Sequence, residues 1–223
     1  MRQILKVTAL AAFAALLAVA SVQAANTLAV TSPGLNGSNF KLEINIDGVD
    51  NSQKWVQDDS PTCEDTYNVE WRMATPDLSA GELDLDDNYT VFLGRVDPAT
   101  GPTTNKIRCL LRSQPGGAFN PQVRCSVRED NGSGSHLRYI GQSAYNPNFE
   151  HVFRFELVKE SAPGAGDGQA TFYRDGAQVF SRSDLFTEGE CWDSQRLGLG
   201  QPVPGVALGR AFETDYDDFV STR

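Results

Sequence analysis

The feature that most constrains this chain is the period of its apolar residues. From Leu28 onward they recur at every second position in short runs, and turn residues separate the runs. A period of two puts one side of an extended segment in a core and the other in water, whereas a helix buries positions three and four apart. Phe40, Leu42, Ile44 and Ile46 alternate before Asp47-Gly48, and Tyr67, Val69, Trp71 and Met73 alternate before Pro76. Val91 and Leu93 continue the pattern, then Ile107, Cys109 and Leu111, then Val123, Cys125 and Val127, then Leu137, Tyr139 and Gly141. Phe153, Phe155, Leu157 and Phe172 lead to a closing stretch with Leu197, Leu199 and Phe219. Such a series, with no repeat and no inter-domain linker, predicts an all-β, antiparallel two-sheet β-sandwich. The Gly/Pro-rich pieces Ser113–Pro121, Ser161–Gly168 and Gly200–Gly205 have the length of loops within one domain.

Residues 1–24 read differently. Arg2 and Lys6 precede an apolar stretch from Val7 to Ala20 and a small-residue pattern, Val22-Gln23-Ala24. That is the make-up of a secretory signal, so the expected mature domain is 25–223 and the expected location is the periplasm or the extracellular space. The formal net charge is −10 for the 223-residue chain, and loss of Arg2 and Lys6 makes it two units more negative. Such a surface repels nucleic acid and anionic lipid, so neither is an expected partner. Four cysteines behind an export signal predict two disulfides rather than a metal site or a reactive thiol.

The best-determined pairing is Lys106–Arg112 with Gln122–Arg128 across Pro115-Gly116-Gly117. If Cys109 lies opposite Cys125, then Ile107 meets Val127 and Leu111 meets Val123, so one register puts every apolar residue on one face. This predicts a Cys109–Cys125 disulfide. It leaves Cys63 for Cys191, closing a long loop that constrains the unfolded chain by about 4–5 kcal/mol on the entropy model. The same register sends Arg108, Arg112, Arg124 and Arg128 to the opposite side, and Arg72, Arg138 and Arg154 hold comparable alternate positions on other strands. Four guanidinium groups on a two-stranded surface of an acidic chain mean segregated positive charge, and the arginine fork matches carboxylates in two-point geometry. The competing arrangement is neutralisation across the sheet by acids such as Glu70 and Glu156.

The stretch His151–Ser183 has an apolar strand, a Gly-rich turn and a second strand that ends in Tyr173-Arg174-Asp175-Gly176 and resumes at Gln178-Val179-Phe180. It resembles the strand–turn–strand of concanavalin A-like lectin/glucanase jelly rolls, particularly the laminin G-like and pentraxin-like group. The last strand, Glu213 to Ser221, resembles the closing Asp-Asp-aromatic strand of many members. The Trp55–Tyr67 segment is also similar to one found in secreted bacterial proteins. The resemblance implies a jelly roll whose curved sheet binds glycan, and a structural calcium ion near the closing strand held by Asp215 or Asp218. On a regular strand Asp215 and Asp217 share a face that Asp218 does not, so the ion's remaining oxygens would come from loop carbonyls. The Asp175-Gly176 pair itself suits a two-residue hairpin turn.

Two further constellations bear on catalysis. Glu82-Leu83-Asp84-Leu85-Asp86 resembles the Glu-x-Asp-x-Glu signature of retaining glucanases of this fold class, with Asp86 one methylene shorter than the usual Glu. Retention requires carboxyls only about 5 Å apart, and the segment lies between turn signals, so a solvated connector is the competing reading. His136, Arg138, Tyr139 and Gln142 are close in sequence, and a β-jelly-roll lyase abstracts a proton with His or Tyr once a cation has neutralised the uronate. The expectation from the sequence is a non-catalytic recognition module for extracellular carbohydrate, an acidic polysaccharide on the arginine face, or for a cell-surface partner. The alternatives are a polysaccharide-degrading enzyme, either a lyase using Arg108, Arg124 and Tyr139 or a retaining hydrolase using Glu82 and Asp86, and a structural envelope protein without a small ligand.

Overall fold

The structure, a computed structural model, describes residues 26–47, 53–59, 65–76, 78, 88–96, 104–113, 121–130, 134–187, 194–199 and 211–222. The expected leader, Cys63, Cys191, Glu82 and Asp86 lie outside the described residues. The strands are β1 (Thr27–Thr31), β2 (Lys41–Ile46), β3 (Lys54–Asp58), β4 (Thr66–Ala74), β5 (Asn88–Val96), β6 (Thr104–Ser113), β7 (Pro121–Asp130), β8 (Ser135–Ala144), β9 (His151–Val158), β10 (Gly168–Arg174), β11 (Ala177–Leu185), β12 (Ser194–Leu199) and β13 (Phe212–Thr222). They form a seven-stranded sheet, β1-β2-β13-β4-β9-β10-β11, and a six-stranded sheet, β3-β12-β5-β6-β7-β8. All the pairings are antiparallel, which makes the molecule the two-sheet sandwich that the alternation predicts.

The core forms where the inner faces meet. Tyr67, Val69, Trp71 and Met73 of β4 are buried, as are Ile107, Cys109 and Leu111 of β6 and Val123, Cys125 and Val127 of β7. Trp71 joins the layers: its ring stacks on Phe92 of the facing sheet at 5.3 Å and on Phe153 of the neighbouring strand at 5.8 Å. Phe153 stacks in turn on Phe172 at 6.0 Å. Each such pair adds about 0.5–1.5 kcal/mol beyond the area it buries. Residues Asp175 and Gly176 both have positive φ, 50° and 77°, and link β10 to β11 as the two-residue hairpin expected there.

Three expectations from regular alternation are corrected. Phe40 lies outside the core, 62% exposed, just before β2 begins. In β5 an irregularity between Thr90 and Phe92 lets Val91 and Phe92 both enter the core, while Leu93 faces outward opposite Arg108. In β8 Gly141 pairs with Cys125 but Tyr139 pairs with Ser126, so the extra residue, Ile140, is buried and Tyr139 and Gly141 lie on different faces. A bulge inserts one residue against its partner strand and re-aims the side chains beyond it.

The β6–β7 register is the expected one: Cys109 opposes Cys125, Ile107 opposes Val127 and Leu111 opposes Val123, with the disulfide formed. Its two half-cystines are 16 residues apart in sequence. The double variant Cys109→Ala/Cys125→Ala is expected to lose about 3 kcal/mol of unfolding free energy, the entropy of a loop of this size. Urea denaturation measures it. A loss much below 1 kcal/mol would show that packing alone holds the hairpin.

Candidate functional site

With Ile107, Cys109 and Leu111 committed to the core, period two leaves their neighbours on the solvent side of the six-stranded sheet. Register then fixes who stands beside whom. Arg108 pairs with Leu93 on one side and Ser126 on the other, and Ser126 pairs with Tyr139. Arg124 and Arg128 flank Ser126 along β7, and Lys106 precedes Arg108 by two positions on β6. The small Ser126 side chain is therefore the floor of a notch whose rim is Arg108, Arg124, Arg128 and Tyr139. Further out on the same face stand Arg112 and, through its pairing with Leu93, Arg196 of β12.

The expected competitors for these cations are elsewhere. Glu70 and Glu156 lie on β4 and β9 of the opposite sheet, where Glu156 pairs with Arg154 at 3.3 Å and accepts a hydrogen bond from Tyr173 Oη at 2.9 Å. Arg72 and Arg154 belong to that other sheet too, so the seven arginines do not form one surface. Arg138 turns to Glu129 and Asp184 at 3.1 and 2.6 Å. Among the described residues, no carboxylate forms an ion pair with Arg108, Arg112, Arg124 or Arg128. Burial, and after it the charge of Arg124, hold the Arg108 guanidinium below its ordinary value. Like charges pressed together in a site sheltered from water favour an anion that bridges them.

Aromatic rings accompany the cations. The Arg124 guanidinium lies 4.6 Å from the centre of the Tyr139 ring, and Arg182 Nε donates to the Tyr139 carbonyl at 3.0 Å, fixing that residue from behind. At the opposite edge, Arg196 lies 4.1 Å over Trp55 of β3 and donates to Gln57. Trp55 pairs with Gly198, whose φ is 143° and where a Cβ would run into Lys54 O and the Trp55 backbone. Flat rings beside planar guanidinium groups are surfaces on which sugar rings and their carboxylates settle together. Trp55 and Arg196 did not emerge from the sequence as site residues, because only the β3-β12-β5 pairing brings them to the face of Arg108. His136 is separate from the notch: its Nε2 meets the buried Glu129 at 3.1 Å at the start of β8.

No family model and no curated protein matches the chain. Solved structures do. An endo-β-1,4-glucuronan lyase from the fungus Trichoderma reesei superposes with a TM-score of 0.65 at 11% identity, over 88% of this chain and 86% of the other. The alginate lyase vAL-1 from a Chlorella virus gives 0.56 at 9% identity over 89% of each chain. The alginate lyase Aly36B, in a complex with alginate trisaccharide, gives 0.54 at 12% identity over 87% of this chain and 93% of its own. The fold is thus the two-sheet β-sandwich that these lyase structures share. The expectation of a non-catalytic recognition module is corrected by this finding, since the similar structures are enzymes that degrade polysaccharide and favour the alternative reading.

Asp215 and Asp218, each a candidate calcium ligand, have different partners. Asp218, at φ 49° in the irregularity of β13, pairs with Arg72 at 3.0 Å, while Asp215 meets Lys41 at 2.6 Å. Carboxylate oxygens of Glu43, Glu213 and Asp215 come within 4.8 Å of one another, and the Lys41 ammonium also lies 3.4 Å from Glu43 and 3.2 Å from Glu213. Lysine is the counter-ion of this cluster. Against an opposing desolvation, the hydrogen bonds from Lys41 to Asp215 and Glu213 raise the ammonium above its ordinary value. Burial pushes the Asp215 carboxyl up to about 6 in spite of Lys41. Removing one partner of a buried pair leaves a charge without compensation, at about 3–5 kcal/mol. Lys41→Met is therefore expected to lower stability by about 3 kcal/mol at pH 7. Because the folded Asp215 carboxyl is raised, acid returns its proton and the deficit shrinks as pH falls through about 6. Thermal melts at pH 5 and pH 7 check both statements, and an equal deficit at the two values would show that Asp215 is not the group Lys41 serves.

Proposed function

We propose that this protein is a polysaccharide lyase that cleaves a uronate-containing polymer by β-elimination on the outer face of the six-stranded sheet. The observation that carries this reading is the notch over Ser126, where Arg108 and Arg124 stand diagonally across β6 and β7 and, among the described residues, no carboxylate forms an ion pair with either. The lyase structures that share the fold, some solved with alginate oligosaccharides, support it. In the reaction the guanidinium forks of Arg108 and Arg124 hold the sugar carboxylate and take up the charge that grows on its oxygens as the C5 proton leaves. The C5–H electron pair becomes the C4=C5 double bond. The C4–O pair departs with the leaving oxygen, to which the Tyr139 phenol, braced against Arg124, hands a proton. One proton leaves C5 and one arrives at the departing oxygen, so the step is redox-neutral and consumes no water.

The test is incubation with glucuronan and with alginate while following the ultraviolet absorbance of the conjugated double bond. Arg108→Ala/Arg124→Ala is expected to reduce kcat/KM by at least about 10²-fold, as loss of charge-stabilising donors does. Its melting temperature is expected to stay at or above wild type, because the change removes two neighbouring like charges that have no ion-pair partner among the described residues. New reducing ends without absorbance would indicate hydrolysis, and no product from any uronate polymer would overturn the proposal.

A further inference from the structure

Resting on the lyase reading, we propose that Lys106 is the general base that removes the C5 proton. Its position makes the case. On the β6 face Lys106 stands two residues from Arg108, about 7 Å along the strand, and opposite Arg128, since Ile107 pairs with Val127. The C5 hydrogen of a uronate is attached to the carbon next to its carboxyl group. A base must therefore lie directly beside whatever neutralises that carboxylate, and Lys106 is the amine in that position. Tyr139 lies on the far side of Ser126, two strands away, so base and acid approach the sugar from opposite sides of the notch.

The chemistry of the amine agrees. Lys106 is 8% exposed. Burial, and after it the Arg128 charge, bring its ammonium down to about 8, while Asp130 on β7 pulls the other way. Arg108 stands two positions along its own strand, on the same face. A lysine with a depressed ionisation carries a useful fraction of free amine near neutrality, which is the condition for base catalysis. Arginine cannot play this part, as it keeps its proton throughout.

The experiment compares wild type, Lys106→Arg and Lys106→Ala on glucuronan and alginate across pH 6–10. Wild-type kcat/KM should rise with pH through about 8 as the ammonium loses its proton. Lys106→Arg keeps the charge but should lose about 10²–10⁴-fold in kcat with KM within a few-fold. Lys106→Ala should regain activity with added primary amine, in proportion to the unprotonated amine, which a structural role would not produce. If Lys106→Arg retains kcat and the acid limb, the assignment of Lys106 falls and the lyase reading stands. If wild type itself forms no unsaturated product, the lyase reading falls and takes this assignment with it.

Discussion

The cross-strand contact of Cys109 with Cys125 is the constraint on which the candidate site depends. Because strand side chains alternate, a slip of one residue in the β6–β7 pairing would carry Ile107, Leu111, Val123 and Val127 into water and Arg108 and Arg124 into the core. The covalent link excludes that slip, and the packing of Trp71 on Phe92 and Phe153 holds the hairpin's sheet against the other. The hydrophobic layer and the cationic face are thus two consequences of one register. Neither can be shifted without the other.

The two outer faces handle charge in opposite ways. On the seven-stranded sheet each cation has an acid nearby: Lys41 among Glu43, Glu213 and Asp215, Arg72 with Asp218, Arg154 with Glu156. These pairs are self-contained and contribute to the fold. On the six-stranded sheet, Arg108 and Arg124 are diagonal neighbours, and among the described residues no acid forms an ion pair with either. Holding like charges together opposes folding, and on the proposed lyase reading the substrate carboxylate offsets that repulsion. Rigid strands suit that purpose, because catalytic groups lose effectiveness rapidly when their placement loosens.

Much of this was legible in the sequence, and the remainder was hidden for identifiable reasons. The β6–β7 register could be read because two apolar pairs and a cysteine pair all require the same alignment. The Asp175-Gly176 turn could be read because two consecutive positive φ angles need such residues. Bulges could not: a single inserted residue at Ile140 or near Val91 changes the parity of everything beyond it, and local composition does not announce it. Sheet membership was hidden as well. Arg72 and Arg154 have the same alternation as Arg108 and Arg124, yet crossovers place them on the opposite side of the molecule. Trp55 and Arg196, far apart in sequence, meet only because β3 and β12 are neighbours.

Lys106, the proposed base, shows why a candidate reaction site is harder to read than a fold. In the sequence it is one lysine at the start of a strand, and nothing in its residue type separates it from the exposed lysines that serve solubility. What singles it out is environment: 8% exposure, an arginine directly across and another two positions along. Both conditions disfavour the charged ammonium, and both arise from the register that the disulfide fixes. An arginine pair prepared for a carboxylate will hold a uronate, but holding alone does not remove a proton. On the proposed lyase reading, the same crowding of cations that would draw the polymer in also weakens the proton on Lys106, so binding and base strength would have a common electrostatic origin.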